Sequence, residues 1–121
     1  MLVVDDDAAT RSSIAYYLRE MGAPAEVVGE AGDGPEAIER ARELRPDLVI
    51  MDARMQDMSC FAATRVIRED LPETEVVILS LYDDEFARAS AEDVGALEFV
   101  PKTDLRILSE VVARVHGQSG S

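Results

Sequence analysis

Four short apolar runs in this chain end in side chains that can bind or carry charge. Asp5, Asp6 and Asp7 follow Leu2-Val3-Val4, Asp52 follows Val49-Ile50-Met51, Ser80 follows Val76-Val77-Ile78-Leu79, and Lys102 follows Phe99-Val100-Pro101. Short apolar runs closed by turn chemistry read as buried strands. The run before Asp52 starts just after Pro46-Asp47, a pair unsuited to helix interior. In open parallel sheets the site lies outside the carboxyl ends of the strands. The sequence therefore places acids, a hydroxyl and an ammonium along one edge, with Asp52 at the centre.

Carboxylates gathered in this way repel one another. At an effective dielectric near 20, a pair ~4 Å apart costs roughly 4 kcal/mol. A hard divalent cation removes that cost, and Mg²⁺ prefers oxygen ligands. His116 and Cys60 are each alone in their type, so no His or Cys cluster competes for a softer metal. Asp5, Asp6 and Asp7 also stand where a helix amino-terminal cap belongs, which is the simpler reading for any one of them. Lys102 is at minimum a counter-ion, worth little if exposed. Its sharper role is to neutralise a phosphoryl group carried on a carboxylate, and Ser80 is placed to donate to the same oxygens.

The elements that must hold these groups alternate. The first strand, Met1 to Val4, is shorter than the ~5–6 residues usual for strands, which suggests missing residues or a frayed first turn. A helix follows from about Ala8 to Met21, with Ile14, Tyr17, Leu18 and Met21 on one face and Gly22 as its stop. Ala25 to Ala31 reads as the second strand. Asp33-Gly34-Pro35-Glu36 opens the second helix with a capping-box variant, and Ala37, Ile38, Ala41 and Leu44 face the core. Strand three is Leu48 to Met51. After the loop Ala53 to Ser59, helix three spans about Cys60 to Glu69, with Ala63, Val66 and Ile67 inward. Strand four is Glu75 to Leu79, helix four about Asp84 to Val94, and strand five Leu97 to Val100. Helix five, about Asp104 to His116, turns Leu108, Val111, Val112 and Val115 to one side. Gly117 to Ser121 reads as a flexible tail or the start of a linker. Strand and helix alternate five times, which predicts an α/β domain with a parallel sheet between two helical layers.

Size and charge agree with one domain at 121 residues, and 47% hydrophobic composition supports a real core. Twelve basic against 25 acidic residues give a net charge of −13, which repels nucleic acid and anionic lipid. A single cysteine permits no internal disulfide and fits a reducing compartment. The start of the chain has neither a basic segment nor a long apolar run, so neither a secretory signal nor a membrane span is expected.

Leu2-Val3-Val4-Asp5-Asp6-Asp7, Asp47 to Met55, Val77-Ile78-Leu79-Ser80 and Phe99-Val100-Pro101-Lys102 together resemble the CheY-like receiver domain of two-component response regulators. The resemblance covers nearly the whole chain, with residues 1–116 as the receiver. Leu79 to Asp84 and Phe99 to Thr103 are most similar to the subgroup joined to a LuxR/NarL-type helix-turn-helix output domain. It implies a flavodoxin-like sheet of order 2-1-3-4-5 with five helices. It further implies that Asp52 accepts a phosphoryl group from the phosphohistidine of a sensor histidine kinase. Asp6 and Asp52 would hold Mg²⁺ directly, Asp5 through water, and the Arg54 backbone carbonyl would be a further ligand. Lys102 would contact the phosphoryl oxygens. Ser80 and Phe99 would switch, altering the face made by helix four, strand five and helix five. Arg54 and Tyr82 would tune dephosphorylation. The implied protein is a phosphoacceptor rather than an enzyme, dimerising on phosphorylation and controlling transcription through an attached domain. The lack of a targeting segment and the single cysteine add the expectation of a cytoplasmic location.

The chain departs from the family in two places. Gln56-Asp57-Met58-Ser59-Cys60 lacks the usual Pro and Gly, which predicts an altered loop and altered Mg²⁺ affinity. Thr103 follows Lys102, so no cis Lys-Pro bond exists. Two rival readings remain. One is a pseudo-receiver that keeps the fold without phosphorylation. The other is a haloacid dehalogenase-like phosphatase with Asp5 as nucleophile, Asp7 as acid/base, Ser80 and Lys102 as phosphate clamps and Asp83-Asp84 as distal metal acids.

Overall fold

Strands and helices alternate strictly along the chain: β1 Leu2–Val4, α1 Ala8–Glu20, β2 Gly29–Ala31, α2 Gly34–Leu44, β3 Leu48–Asp52, α3 Cys60–Asp70, β4 Glu75–Ser80, α4 Glu85–Asp93, β5 Glu98–Pro101 and α5 Leu105–Ser119. The computed structural model describes residues 1–22, 26–54, 59–81 and 85–119, the side chains of 116–119 apart. All strand pairs are parallel, in the order β2-β1-β3-β4-β5. This is the flavodoxin-like arrangement expected from the sequence. The order reverses beside β1 and β3, so the crevice of the fold opens there.

Alternation along the strands builds two cores. Val4, Val49, Met51, Val76, Ile78 and Phe99 pack toward α2, α3 and α4, against Ala37, Ala63 and Ile67 among others. Val3, Ile50, Val77, Leu79 and Val100 pack toward α1 and α5, against Ile14, Leu18, Leu108, Val111, Val112 and Val115. Both faces of the sheet are thus dry, which is why the strands read as continuous apolar runs.

Local signals set the helix ends. Asp33 caps α2, its carboxylate accepting from the Glu36 amide at 2.8 Å, while Glu36 Oε1 accepts from the Gly32 amide at 2.8 Å. Helix α4 stops at Gly95, φ +87°, where the Ala96 amide reaches Ala91 O and the Gly95 amide reaches Glu92 O. That paired closure suits a glycine free to adopt positive φ. Asp33→Ala removes the α2 cap and should lower stability by about 1 kcal/mol. The check is a urea titration in which the midpoint falls and the slope stays constant.

Several expectations need correction. Strand β2 is shorter than Ala25 to Ala31, and Ala25 itself lies outside the described residues. Its partner β1 offers only Leu2, Val3 and Val4, which pair with Gly29, Glu30 and Ala31. One further bond, from the Val28 amide to Met1 O at 2.9 Å, continues the ladder. Met21 and Leu44 are not core residues but stand 49% and 37% exposed, and Tyr17 is only partly buried. Met21 caps the end of α1, and Leu44, the last residue of α2, reaches only the sheet's edge at Gly29. Strands β3 and β4 each run one residue further than expected, taking in Asp52 and Ser80. Helix α5 continues to Ser119, so residues 117–119 are helical rather than a tail, Gly117 being tolerated inside a helix for roughly 1 kcal/mol.

Candidate functional site

The carboxyl ends of the strands bring together the residues singled out by the sequence. Asp5 follows β1 and Asp52 ends β3, and both are buried, at 2% and 5% exposure, whereas Asp6 is exposed. One carboxylate oxygen from each of Asp5, Asp6 and Asp52 lies within 4.8 Å of the others. Lys102, just past β5, points its ammonium between the two buried acids, 3.3 Å from Asp5 Oδ2 and 3.0 Å from Asp52 Oδ1. Above them is an open cleft of about 580 Å³, lined also by Thr10, Arg54 and Leu81.

The backbone fixes each group. The Asp5 amide donates to Ala31 O at 3.1 Å, the Ala53 amide to Leu79 O at 2.8 Å, and the Lys102 amide to Ser80 O at 2.7 Å. These bonds carry the sheet ladder past the last paired residues and stiffen the rim. The Asp5 carboxylate also accepts from the Asp7 amide at 3.0 Å, and Asp52 Oδ1 accepts from the Arg54 amide at 3.2 Å. Asp7 is different in kind. Its side chain accepts from the Ala9 amide and the Thr10 hydroxyl, capping α1, and these bonds hold its carboxyl below the usual range. The capping reading therefore holds for Asp7.

Burial pushes the Asp52 carboxyl up, and neither Lys102 nor the Arg54 amide brings it back to its ordinary value. Burial alone would lower Lys102, but the hydrogen bond and charge of Asp52, with Asp5 behind them, outweigh it and raise the ammonium. The cluster is thus two buried acids sharing one ammonium.

Ser80 is buried at the end of β4, opposite Pro101 in the ladder. Phe99 is buried on the α3–α4 side, with the Arg88 guanidinium 5.1 Å from its ring centre, in range of a cation–π contact. Arg54 is exposed at the cleft. Tyr82, Asp83 and Asp84 lie outside the described residues, as do 55–58 of the loop whose sequence departs from the family. No cis peptide bond occurs among the described residues.

Cys60 opens α3 and is buried. Burial, with the Asp52 charge nearby, pushes its thiol up to about 12. A protonated, covered thiol is neither nucleophile nor ligand. Iodoacetamide should therefore label the native protein at least tenfold more slowly than the urea-unfolded chain, a ratio read by intact mass and set by how rarely the site opens.

Arg11 was not marked out by the sequence reading. Its Nη1 donates to Asp5 O at 2.6 Å and its Nε to Glu30 Oε1 at 2.8 Å. The available signal was an arginine one turn into the helix that follows the acids.

A family model described as the response regulator receiver domain matches residues 1–113. The response regulator protein VraR of Staphylococcus aureus (strain Mu3 / ATCC 700698) is 40% identical over 103 residues, covering 85% of this chain and 49% of VraR. The chain thus spans about half the length of the curated relatives it matches. The signal receiver domain of the response regulator NarL from Mycobacterium tuberculosis superposes with a TM-score of 0.84 at 30% identity, covering 96% of this chain and 94% of that one. A two-component response regulator of the LuxR family from Aurantimonas sp. SI85-9A1 gives 0.82 at 28% identity, covering 96% and 84%. With the matched family model spanning nearly all of the chain and the acids standing at the sheet's crevice, the chain belongs to the receiver domains of response regulators.

Proposed function

We propose that Asp52 is the phosphoryl acceptor of a two-component system. One observation carries this reading: a buried carboxylate at the end of the central strand, 3.0 Å from a lysine and within 4.8 Å of two more acids. A divalent cation fits the donor set, which is three carboxylates at one rim, and the Cys60 thiol is held protonated by burial. Hard oxygen donors of this kind suit Mg²⁺. Asp6 and Asp52 would hold it directly with the Arg54 carbonyl. Asp5 would act through water, because its oxygens are already met by Lys102 and the Asp7 amide. When bound, Mg²⁺ supplies positive charge to the phosphoryl oxygens and to the acids.

The chain's own residues then do the following. The Asp52 carboxylate attacks the phosphorus of a kinase phosphohistidine. The new O–P bond forms as the N–P bond breaks, and the electron pair leaves on the imidazole nitrogen. Lys102 stays beside Asp52 and neutralises the transferred group. Phosphoryl transfer depends mainly on positioning and on fixed charge of this sort. The product adds roughly 1.5–2 negative charges at the rim. Ser80, at the end of the adjacent strand, follows that charge, and Phe99 repacks behind it under Arg88. The face of α4, β5 and α5 changes in consequence. Arg54 and Tyr82 tune hydrolysis of the acyl phosphate, which is slow self-dephosphorylation rather than turnover of a substrate. The partners are a sensor kinase, a second copy on phosphorylation, and DNA through an attached output domain, with the receiver working in the cytoplasm. The support for an attached domain is that this chain matches only 49% of the length of VraR.

The phosphatase reading fares less well on geometry, since both carboxylate oxygens of Asp7, though at the cleft, already accept bonds that cap α1. Incubation with Mg²⁺ and acetyl phosphate tests all three readings. A receiver gains one hydroxylamine-labile phosphoryl group, lost in Asp52→Asn. A phosphatase releases phosphate continuously, and Asp5→Asn stops it. A pseudo-receiver does neither.

A further inference from the structure

Arg11 lies on α1, outside the residues assigned to phosphoryl transfer, yet it is bonded to the main chain of the acid loop. Its side chain is only 19% exposed, while that of Glu30, its partner on β2, is 51% exposed. Nη1 donates to Asp5 O and Nε to Glu30 Oε1. The Asp5 amide, in turn, donates to Ala31 O. Both polar groups of the Asp5 main chain are therefore tied to neighbouring residues of β2, one directly and one through Arg11. Strand β2 is the sheet's edge, with Gly29, Glu30 and Ala31 in register on β1. The strap thus reinforces the sheet's edge pairing at the point where the acids emerge.

From this circuit we infer that Arg11 is a positioning residue for cation binding, acting through the Asp5 peptide rather than through its own charge. The inference rests on the reading that Asp5, Asp6 and Asp52 hold a divalent cation. Two physical effects of Arg11 oppose each other. As a positive charge beside the acids, it weakens their attraction for a cation. As a clamp, it holds the Asp5-Asp6-Asp7 backbone in the arrangement that brings three carboxylate oxygens together. Outer partners that orient metal ligands typically change affinity by 10–100-fold when removed. The Arg11 charge is already paired with Glu30 at 2.8 Å, so its net repulsion of a cation is worth less. The clamp should win.

The two roles predict changes of opposite sign. Arg11→Met keeps an unbranched apolar stem and removes both the bonds and the charge. Titration of the intact chain with Mg²⁺ by calorimetry should show affinity lowered about tenfold. Glu30→Ala should lower it less, in the same direction. The double variant should bind no more weakly than Arg11→Met, because the two residues act as one unit. Metal-free hydrogen exchange gives an independent readout. The Asp7 amide, bonded to the Asp5 carboxylate, should exchange faster in both single variants than in wild type. If wild type binds Mg²⁺ while Arg11→Met binds it equally or more tightly, the clamp is refuted and the receiver reading stands. A wild-type chain with no saturable Mg²⁺ binding overturns both. Should Arg11→Met fail to fold, Glu30→Ala, at an exposed position, decides alone: unchanged affinity and unchanged Asp7 exchange reject the inference.

Discussion

Asp52→Asn will abolish phosphoryl incorporation and, in metal-free buffer at neutral pH, will make the protein more stable than wild type. The first effect follows from removing the proposed nucleophile. An amide at the same place keeps an oxygen for the Lys102 ammonium and the Arg54 amide, so the site should persist without its reactivity. The second effect follows from burial. Asp52 is 5% exposed, and burial holds its folded-state carboxyl above the unfolded value despite the lysine. A raised carboxyl favours the protonated form in the folded protein. Its contribution to stability is complete below the unfolded value, near pH 3.9, and is lost as pH rises through the folded one. At pH 7 the ionised side chain is therefore a net cost. Replacing it should raise stability by about 0.5–2 kcal/mol, the range common for relieving a functional site. Near pH 3 the gain should vanish. Thermal melts in EDTA at the two pH values, with phosphorylation by acetyl phosphate in parallel, check both halves. A variant that still takes up phosphate, or one less stable than wild type at pH 7, contradicts the account of this site.

Lys102→Met should have the other large effect, in two directions. The lysine stands 3.3 Å from Asp5 and 3.0 Å from Asp52, and without it those carboxylates face each other uncompensated. Removing one partner of a buried ion pair costs ~3–5 kcal/mol, and the 17% exposure of Lys102 argues for a value nearer 2 kcal/mol here. Stability in EDTA should fall accordingly. Mg²⁺ should restore more of it than it adds to wild type, because the cation replaces a charge the variant lacks and therefore binds more tightly. Phosphoryl uptake should nonetheless drop about 10²–10³-fold, the loss typical when one fixed donor to a developing charge is removed. Melting curves with and without Mg²⁺ and a phosphorylation time course separate the two effects. Weaker Mg²⁺ binding together with an unchanged rate would mean that Lys102 is a bystander.

Much of this was legible in the residues because two periodicities agreed. Leu108, Val111, Val112 and Val115 repeat at helical spacing, and all four are buried. The strand runs end where Asp52, Ser80 and Lys102 begin, so a parallel sheet had to place them on one rim. The misses came from lengths that spacing cannot reveal. Met21 shares the helical face of Ile14 and Leu18, but α1 spans about 20 Å at 1.5 Å per residue. Three residues of β1 span only about 10 Å beneath it. The last turn of α1 overhangs the sheet, and Met21 meets water. Leu44 is a similar case, reaching the edge at Gly29, where its Cδ1 sits 2.7 Å from the place a Cβ would occupy. Arg11 was missed for another reason. Its partners are a main-chain carbonyl and a glutamate on another strand, and neither leaves a local pattern in the sequence.

The direction of α5 has a mechanical consequence. Every strand runs toward the acids, so each helix returns away from them, and α5 carries the chain about 22 Å back along Leu105–Ser119. Polypeptide attached past that helix would hang from the opposite pole of the molecule, out of reach of anything bonded to Asp52. News of the reaction would have to travel as a tilt. The valine seam of α5 rests on Leu79 and Val100, the residues adjoining Ser80 and Phe99, and it would serve as the fulcrum of that lever.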